Sequence, residues 1–145
     1  MGLSISQKED CKITIALGVH SGDHALYPDC SPEFYNALST AFSIGNWNSE
    51  RISFELPYIE GDKTTILKDA LRSCEILNLN FDEIMASTIT SYNPDKSGRS
   101  SGKSGSDVER ILAFHEIGHV DPIEYISSWE TVLENALKLK DKVGE

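Results

Sequence analysis

The dipeptide Asp121-Pro122 constrains this chain more than any other feature. Proline lacks a backbone N–H, and its ring pushes the preceding residue toward extended geometry, so a helix does not readily run through it. In "HVDPIE" the proline follows Asp121 and precedes Glu124. That order predicts a helix start, with Asp121 as N-cap, Pro122 at the first helical position and Glu124 at the third. The helix is expected over about 122–142, where Ile126, Trp129, Leu133, Ala136 and Leu137 recur at spacings of three or four. The backbone before it, 108–120, is then expected to be a strand. Leu112 and Phe114 fall on one face of that strand, and Ile111, Ala113 and His115 on the other.

The remaining elements follow from periodicity. In "KITIALGVH" the residues Ile13, Ile15, Leu17 and Val19 alternate with smaller ones, which predicts a strand. Ser31 and Pro32 open a helix carrying Phe34, Leu38, Ala41 and Phe42, which stops near Gly45 and Asn46. "RISFEL" predicts a second strand, and Asp62 opens a second helix with Ile66, Leu67, Ala70, Leu71, Cys74 and Leu77 as its apolar stripe. Residues 82–93 are rich in β-branched side chains and predict a third strand. Residues 94–107, polar and rich in glycine and serine, predict a flexible loop. The expected fold is α/β (α+β): a single domain over 1–145, built as a two-layer sandwich. Three helices would cover a mixed four-stranded sheet in the order β-α-β-α-β-β-α.

His115-Glu116-Ile117-Gly118-His119 spells H-E-x-x-H, preceded by the apolar "ILAF". Over these five residues the chain resembles the zincin family of zinc-dependent proteases. The resemblance implies zinc held by His115 and His119 on one helical face, with Glu116 activating a bound water. It departs at the charged Asp121 and at Pro122. On a strand the two imidazoles would stand roughly 13 Å apart, too far for one ion. His20 and His24 form a second H-x-x-x-H pair, with Asp23 and Cys30 nearby as further candidate ligands. The main expectation is no metal and no cofactor. The alternative is zinc on His115, His119, His20 and His24, with Glu116 as the catalytic residue.

Composition narrows the classes. The formal net charge is −10, so phosphate-rich nucleic acid is not an expected partner. No run approaches the ~20 apolar residues of a membrane span, and "MGLSISQKEDCK" lacks a basic start followed by an apolar run. Three cysteines without a C-x-x-C pattern suit a reducing cytosol. "SGRSSGKS" resembles a phosphate-binding P-loop, but Ser97 stands where the first glycine is due, and Gly105-Ser106-Asp107 promises a poor helix start.

Trp47, Glu50, Glu55, Tyr58, Glu60 and Asp62 lie within sixteen residues. Aromatic side chains beside carboxylates suit a docking surface for a basic protein. The expected function is therefore a small, acidic, cytoplasmic binding protein without catalysis. In general character it is similar to bacterial toxin-immunity proteins, and its partner would be a basic toxin or effector domain. A zinc-dependent hydrolase, a phage-encoded antagonist, or a small-ligand or nucleotide binder using the serine-rich loop are the alternatives.

Overall fold

A computed structural model of the chain describes residues 1–22 and 27–143. The chain divides into two compact units, Met1–Asp62 and Lys63–Glu145.

The first unit runs α1 (Gly2–Glu9), β1 (Ile13–Ala16), α2 (Pro32–Gly45) and β2 (Ile52–Glu55). The two strands pair in parallel, with Ile13 opposite Ile52 and Ala16 opposite Glu55. A parallel pair needs a long crossover, and α2 provides it. Ser31 caps α2 by accepting the Phe34 N–H at 3.2 Å, and Pro32 follows it as expected. The Phe42 ring of α2 meets the Phe54 ring of β2 edge to face, with centroids 5.4 Å apart. The helix α1 has no counterpart among the sequence expectations. It is tied to the strand by Ser6, which is fully buried and whose Oγ donates to the Cys11 carbonyl at 2.5 Å.

The second unit is helical: α3 (Lys63–Leu77), α4 (Phe81–Ala86), α5 (Gly105–Glu116) and α6 (Trp129–Val143). It is chiefly a bundle of α3, α5 and α6, with α5 packed against both of the others. Leu67, Cys74, Phe81, Ala113 and Phe114 form one buried cluster. Val108, Ile111, Val132 and Ala136 form another, and Trp129 borders both. Ile111 and Phe114 are fully buried. Each side chain so buried contributes about 1.5–3 kcal/mol, which makes α5 the keystone of the unit.

The expected four-stranded mixed sheet with three helices is therefore incorrect. The described residues hold a two-stranded parallel sheet and six α-helices. Two of the expected strands are helices, for identifiable reasons. Over 82–93 the helix signal lies just upstream: Asn80 accepts the Asp82 and Glu83 N–H groups and starts α4, while the β-branched Thr88, Ile89 and Thr90 follow it outside any strand. Over 108–120 the restraint from Pro122 is too short-ranged to matter. Proline restrains the residue immediately before it, and α5 has already ended at Glu116. Asp121 is not a helix cap, and α6 starts at Trp129 rather than near 122.

The start of α5 also falls inside the expected loop. Ser104 and Asp107 form a reciprocal capping box, so Gly105-Ser106-Asp107 opens a helix after all. Ahead of it, Gly102 adopts φ +69°, and a Cβ there would sit 2.8 Å from Val132 Cγ1. Only glycine fits that turn without strain. Among the described residues, no helix is long and apolar enough to cross a membrane.

Candidate functional site

The most tightly built polar feature lies in the second unit, around Arg110. Its side chain is buried on α5, and Asp121 is buried beside it; they are 5% and 4% exposed. The guanidinium meets Asp121 as a fork: Nε to Oδ2 at 2.5 Å and Nη2 to Oδ1 at 2.8 Å. Its remaining donors reach Thr88 Oγ1 at 2.8 Å and the Met85 carbonyl at 3.2 Å. The Phe114 ring lies 5.2 Å from the guanidinium carbon. Asp121 also accepts the Tyr125 hydroxyl at 2.8 Å and the Ile123 N–H at 3.3 Å. Burial, and then the Asp121 carboxylate, push the Tyr125 phenol far above its ordinary ionisation range. A buried ion pair offsets its desolvation only when geometry and extra hydrogen bonds are good, and here both carboxylate oxygens and all three guanidinium nitrogens are engaged.

This knot fixes two stretches of backbone, the end of α4 with the residues after it at 86–89, and the irregular 122–124. Between them lies a cavity of about 340 Å³ lined by Ala86, Ser87, Thr88, Ile89, Gly98, Pro122, Ile123 and Glu124. Among these residues the exposed Glu124 brings a carboxylate, while the hydroxyls of Ser87 and Thr88 already donate to the Glu83 and Met85 carbonyls at 3.0 and 2.8 Å. The cavity walls are somewhat more polar than apolar, which suits a small ligand with a hydrogen-bonding edge. Gly98 belongs to a turn in which Asp95 Oδ1 accepts the Ser97 and Arg99 N–H groups at 2.8 and 2.9 Å. Those backbone bonds, foremost that from Arg99, hold the Asp95 carboxyl below its usual range.

The residues singled out from sequence do not converge on this cavity. His115 is exposed in the last turn of α5. Glu116 accepts from Lys68 at 3.2 Å and Thr64 at 3.4 Å. Gly118, at φ +74°, ends the helix: its N–H donates to the His115 carbonyl at 3.0 Å, and the His119 N–H to Phe114 at 3.0 Å. That turn carries His119 off the helix, and its ring packs edge-on against Phe81 at 5.4 Å. The two histidines therefore do not share the helical face that the zincin pattern needs. His20 lies just after β1, and Cys30 just ahead of α2. Asp23 and His24 fall outside the described residues. No group of three or more His, Cys, Asp or Glu side chains that could hold a metal is found among the described residues.

The six residues expected to dock a protein lie in the first unit. Trp47 is 93% exposed. Glu50, Glu55, Glu60 and Asp62 are exposed as well, and Tyr58 is half-buried. Arg110, Asp121, Thr88 and Tyr125 were missed by the sequence reading. The available signal was the spacing of Asp107, Arg110, Ile111 and Phe114, a helical stripe with charge on its buried side.

Comparison with known proteins supplies the context. The family model described as "Queuosine biosynthesis protein QueC" matches residues 1–118. The chain belongs to the QueC family. A 7-cyano-7-deazaguanine synthase of Marinomonas sp. (strain MWYL1) is 42% identical over 108 residues, covering 74% of this chain and 44% of that protein. The synthase of Methanoregula boonei is 41% identical over 106 residues, 73% of this chain and 43% of its own length. That of Hahella chejuensis is 35% identical over 127 residues, 88% of this chain and 48% of its own length. The chain thus spans less than half the length of the curated relatives it matches.

QueC membership overturns the reading as a non-catalytic immunity protein or toxin inhibitor, because the family is one of biosynthetic enzymes. With it fall the basic toxin partner and the expectation that no cofactor is involved. Acidity misled because net charge speaks to solubility and encounter, not to chemistry.

Proposed function

We propose that this chain acts, in the cytoplasm, as part of an ATP-dependent enzyme forming 7-cyano-7-deazaguanine. The observation that carries this reading is the 42% identity over 108 residues to a protein named for that synthesis. The cavity beside Arg110 is the place we assign to the heterocycle. A deazaguanine presents a flat face and an edge of N–H donors. The apolar side chains of Ala86, Ile89 and Ile123 suit the face, and the Glu124 carboxylate suits the edge. The buried Arg110–Asp121 pair acts as a positioning element that holds both cavity walls at their spacing.

The serine-rich loop does not fit the phosphates of ATP. Ser97 replaces the first glycine of a P-loop, no strand immediately precedes Gly105, and the Gly102 N–H is already donated to Ser100 Oγ at 3.2 Å. We assign ATP to the part of the family's length that this chain does not span.

The test is product formation. The chain is supplied with ATP, ammonia and a 7-deazaguanine that carries a carboxyl group at C7, alone and together with the unmatched part of the Marinomonas relative. 7-Cyano-7-deazaguanine is then read by mass spectrometry. Product that depends on the chain is expected. No product in either mixture, while the intact relative makes it under the same conditions, overturns the proposal. Binding of 7-cyano-7-deazaguanine is measured separately. Glu124→Ala is expected to weaken it about tenfold or more, the size of a charge-assisted hydrogen bond.

A further inference from the structure

Enzymes of the QueC family often carry a structural zinc site. A structural zinc takes four ligands, chiefly cysteine thiolates and histidine nitrogens, and the described residues of this chain do not assemble them. Cys74 is buried among Leu67, Phe81 and Phe114, while Cys11 is exposed and Cys30 half-buried in the other unit. His115 points to solvent, and His119 is engaged with Phe81.

What stands at the start of α5 is a different fastening. Asp107 is 1% exposed. Its Oδ2 accepts the Ser104 N–H at 3.3 Å and the Ser91 hydroxyl at 3.3 Å, sixteen residues away in sequence. Its own N–H returns to Ser104 Oγ at 3.1 Å. One carboxylate thus joins the chain entering the loop to the chain leaving it, which is the topological work a structural metal does. The serines between them serve the same loop. Ser100 Oγ accepts from Gly102 at 3.2 Å, and Ser101 Oγ accepts from Lys103 at 3.3 Å. The Ser100 backbone pairs with the strand-like turn after Pro122, donating to Glu124 at 3.1 Å and accepting from Ile126 at 2.9 Å.

The donor set confirms the mismatch with zinc. Ser91 and Ser104 offer neutral hydroxyls, weak ligands for an ion that prefers thiolate and imidazole. Asp107 Oδ1 is buried without a hydrogen-bond partner, and it is the one strong ligand atom left uncommitted there. A single carboxylate oxygen cannot complete a tetrahedral site.

We propose that a Ser91–Asp107–Ser104 hydrogen-bond clasp replaces the structural metal in this chain, so that the unit Lys63–Glu145 holds its 91–107 segment without zinc. This inference rests on the side chains present and not on the assignment of the heterocycle to the cavity.

The full chain, produced in zinc-supplemented medium without a histidine tag, is assayed for bound metal and melted with and without 1,10-phenanthroline and with added zinc. Metal far below stoichiometric is expected, with a melting temperature unchanged by chelator or by zinc. Ser91→Ala removes one hydrogen bond of the clasp and is expected to lower the melting temperature by about 4–8 °C. Stoichiometric zinc, or a melting temperature that falls on chelation, overturns the proposal. So does a Ser91→Ala chain that melts like the parent. Asp107→Ala is expected to be the more damaging change, and should it fail to fold, the chelation and Ser91→Ala measurements still decide. Product formation reports on the synthase reading separately, so the two can fail independently.

Discussion

At the scale of single residues, the second unit is most sensitive to losing one partner of the buried set Arg110, Asp121 and Tyr125. Asp121→Asn keeps the shape but leaves the buried guanidinium without its counter-charge, and removing one partner of such a pair costs about 3–5 kcal/mol. Urea denaturation followed by circular dichroism is expected to show that loss. Tyr125 gives the pair a pH signature. Its phenol ionises near 10 in the unfolded chain and well above that in the folded one. The folded state therefore keeps a proton that the unfolded state releases. The resulting stability is intact below pH 10 and declines as pH rises beyond it. Tyr125→Phe is expected to be less stable at neutral pH, for want of the hydrogen bond to Asp121, but to show a shallower alkaline decline. An unchanged slope between pH 9 and 11 would remove Tyr125 as its source. None of this was legible beforehand: D-P-x-E is written the same way whether the aspartate caps a helix or neutralises an arginine eleven residues earlier.

At the scale of elements, the α5 segment shows what local signals can and cannot decide. Its capping box was present in the sequence as Ser104 and Asp107, and its buried stripe as residues 107, 110, 111 and 114. Pro122 restrains only the residue before it and does not override those signals. Where caps were weighted, as at Ser31 for α2 and Asp62 ahead of α3, the helices begin within a residue of the expected place. The two left-handed glycines around α5 give a paired test. Gly118 has open space where a Cβ would stand, so Gly118→Ala is expected to cost about 1–2 kcal/mol, for backbone strain alone. Gly102 has the same backbone problem, and a Cβ would also lie 2.8 Å from Val132. Gly102→Ala is therefore expected to be the more destabilising of the two by at least about 1 kcal/mol, the overpacking penalty. Equal losses in chemical denaturation would show that Val132 moves aside at no cost.

At the scale of the whole chain, burial is unevenly shared. Every buried hydrophobic residue among those described lies in Lys63–Glu145. In Met1–Asp62 the one buried residue described is Ser6, and the sheet is two strands of four residues each. Ile44 and Trp47 of that unit are 83% and 93% exposed. A parallel sheet is ordinarily covered on both faces, and a two-stranded one is marginal alone in water. Composition could not reveal this, because an average of 39% apolar residues is indifferent to which of them find partners. It follows that the two units differ in autonomy. Expressed separately, 63–145 is expected to unfold in one cooperative transition, with dispersed amide resonances. The 1–62 fragment is expected to lack a cooperative transition, because its described residues bury no hydrophobic side chain to offset the entropy of ordering about sixty residues, roughly 1–2 kcal/mol each for the backbone. Supplying it with the unmatched part of the Marinomonas relative tests the cause. If missing apolar cover is what it lacks, the mixture gains a sigmoidal melt that neither component shows alone. A cooperative melt from 1–62 by itself would mean that the strand pair, α1 and α2 suffice, and that burial counted residue by residue understates their cohesion.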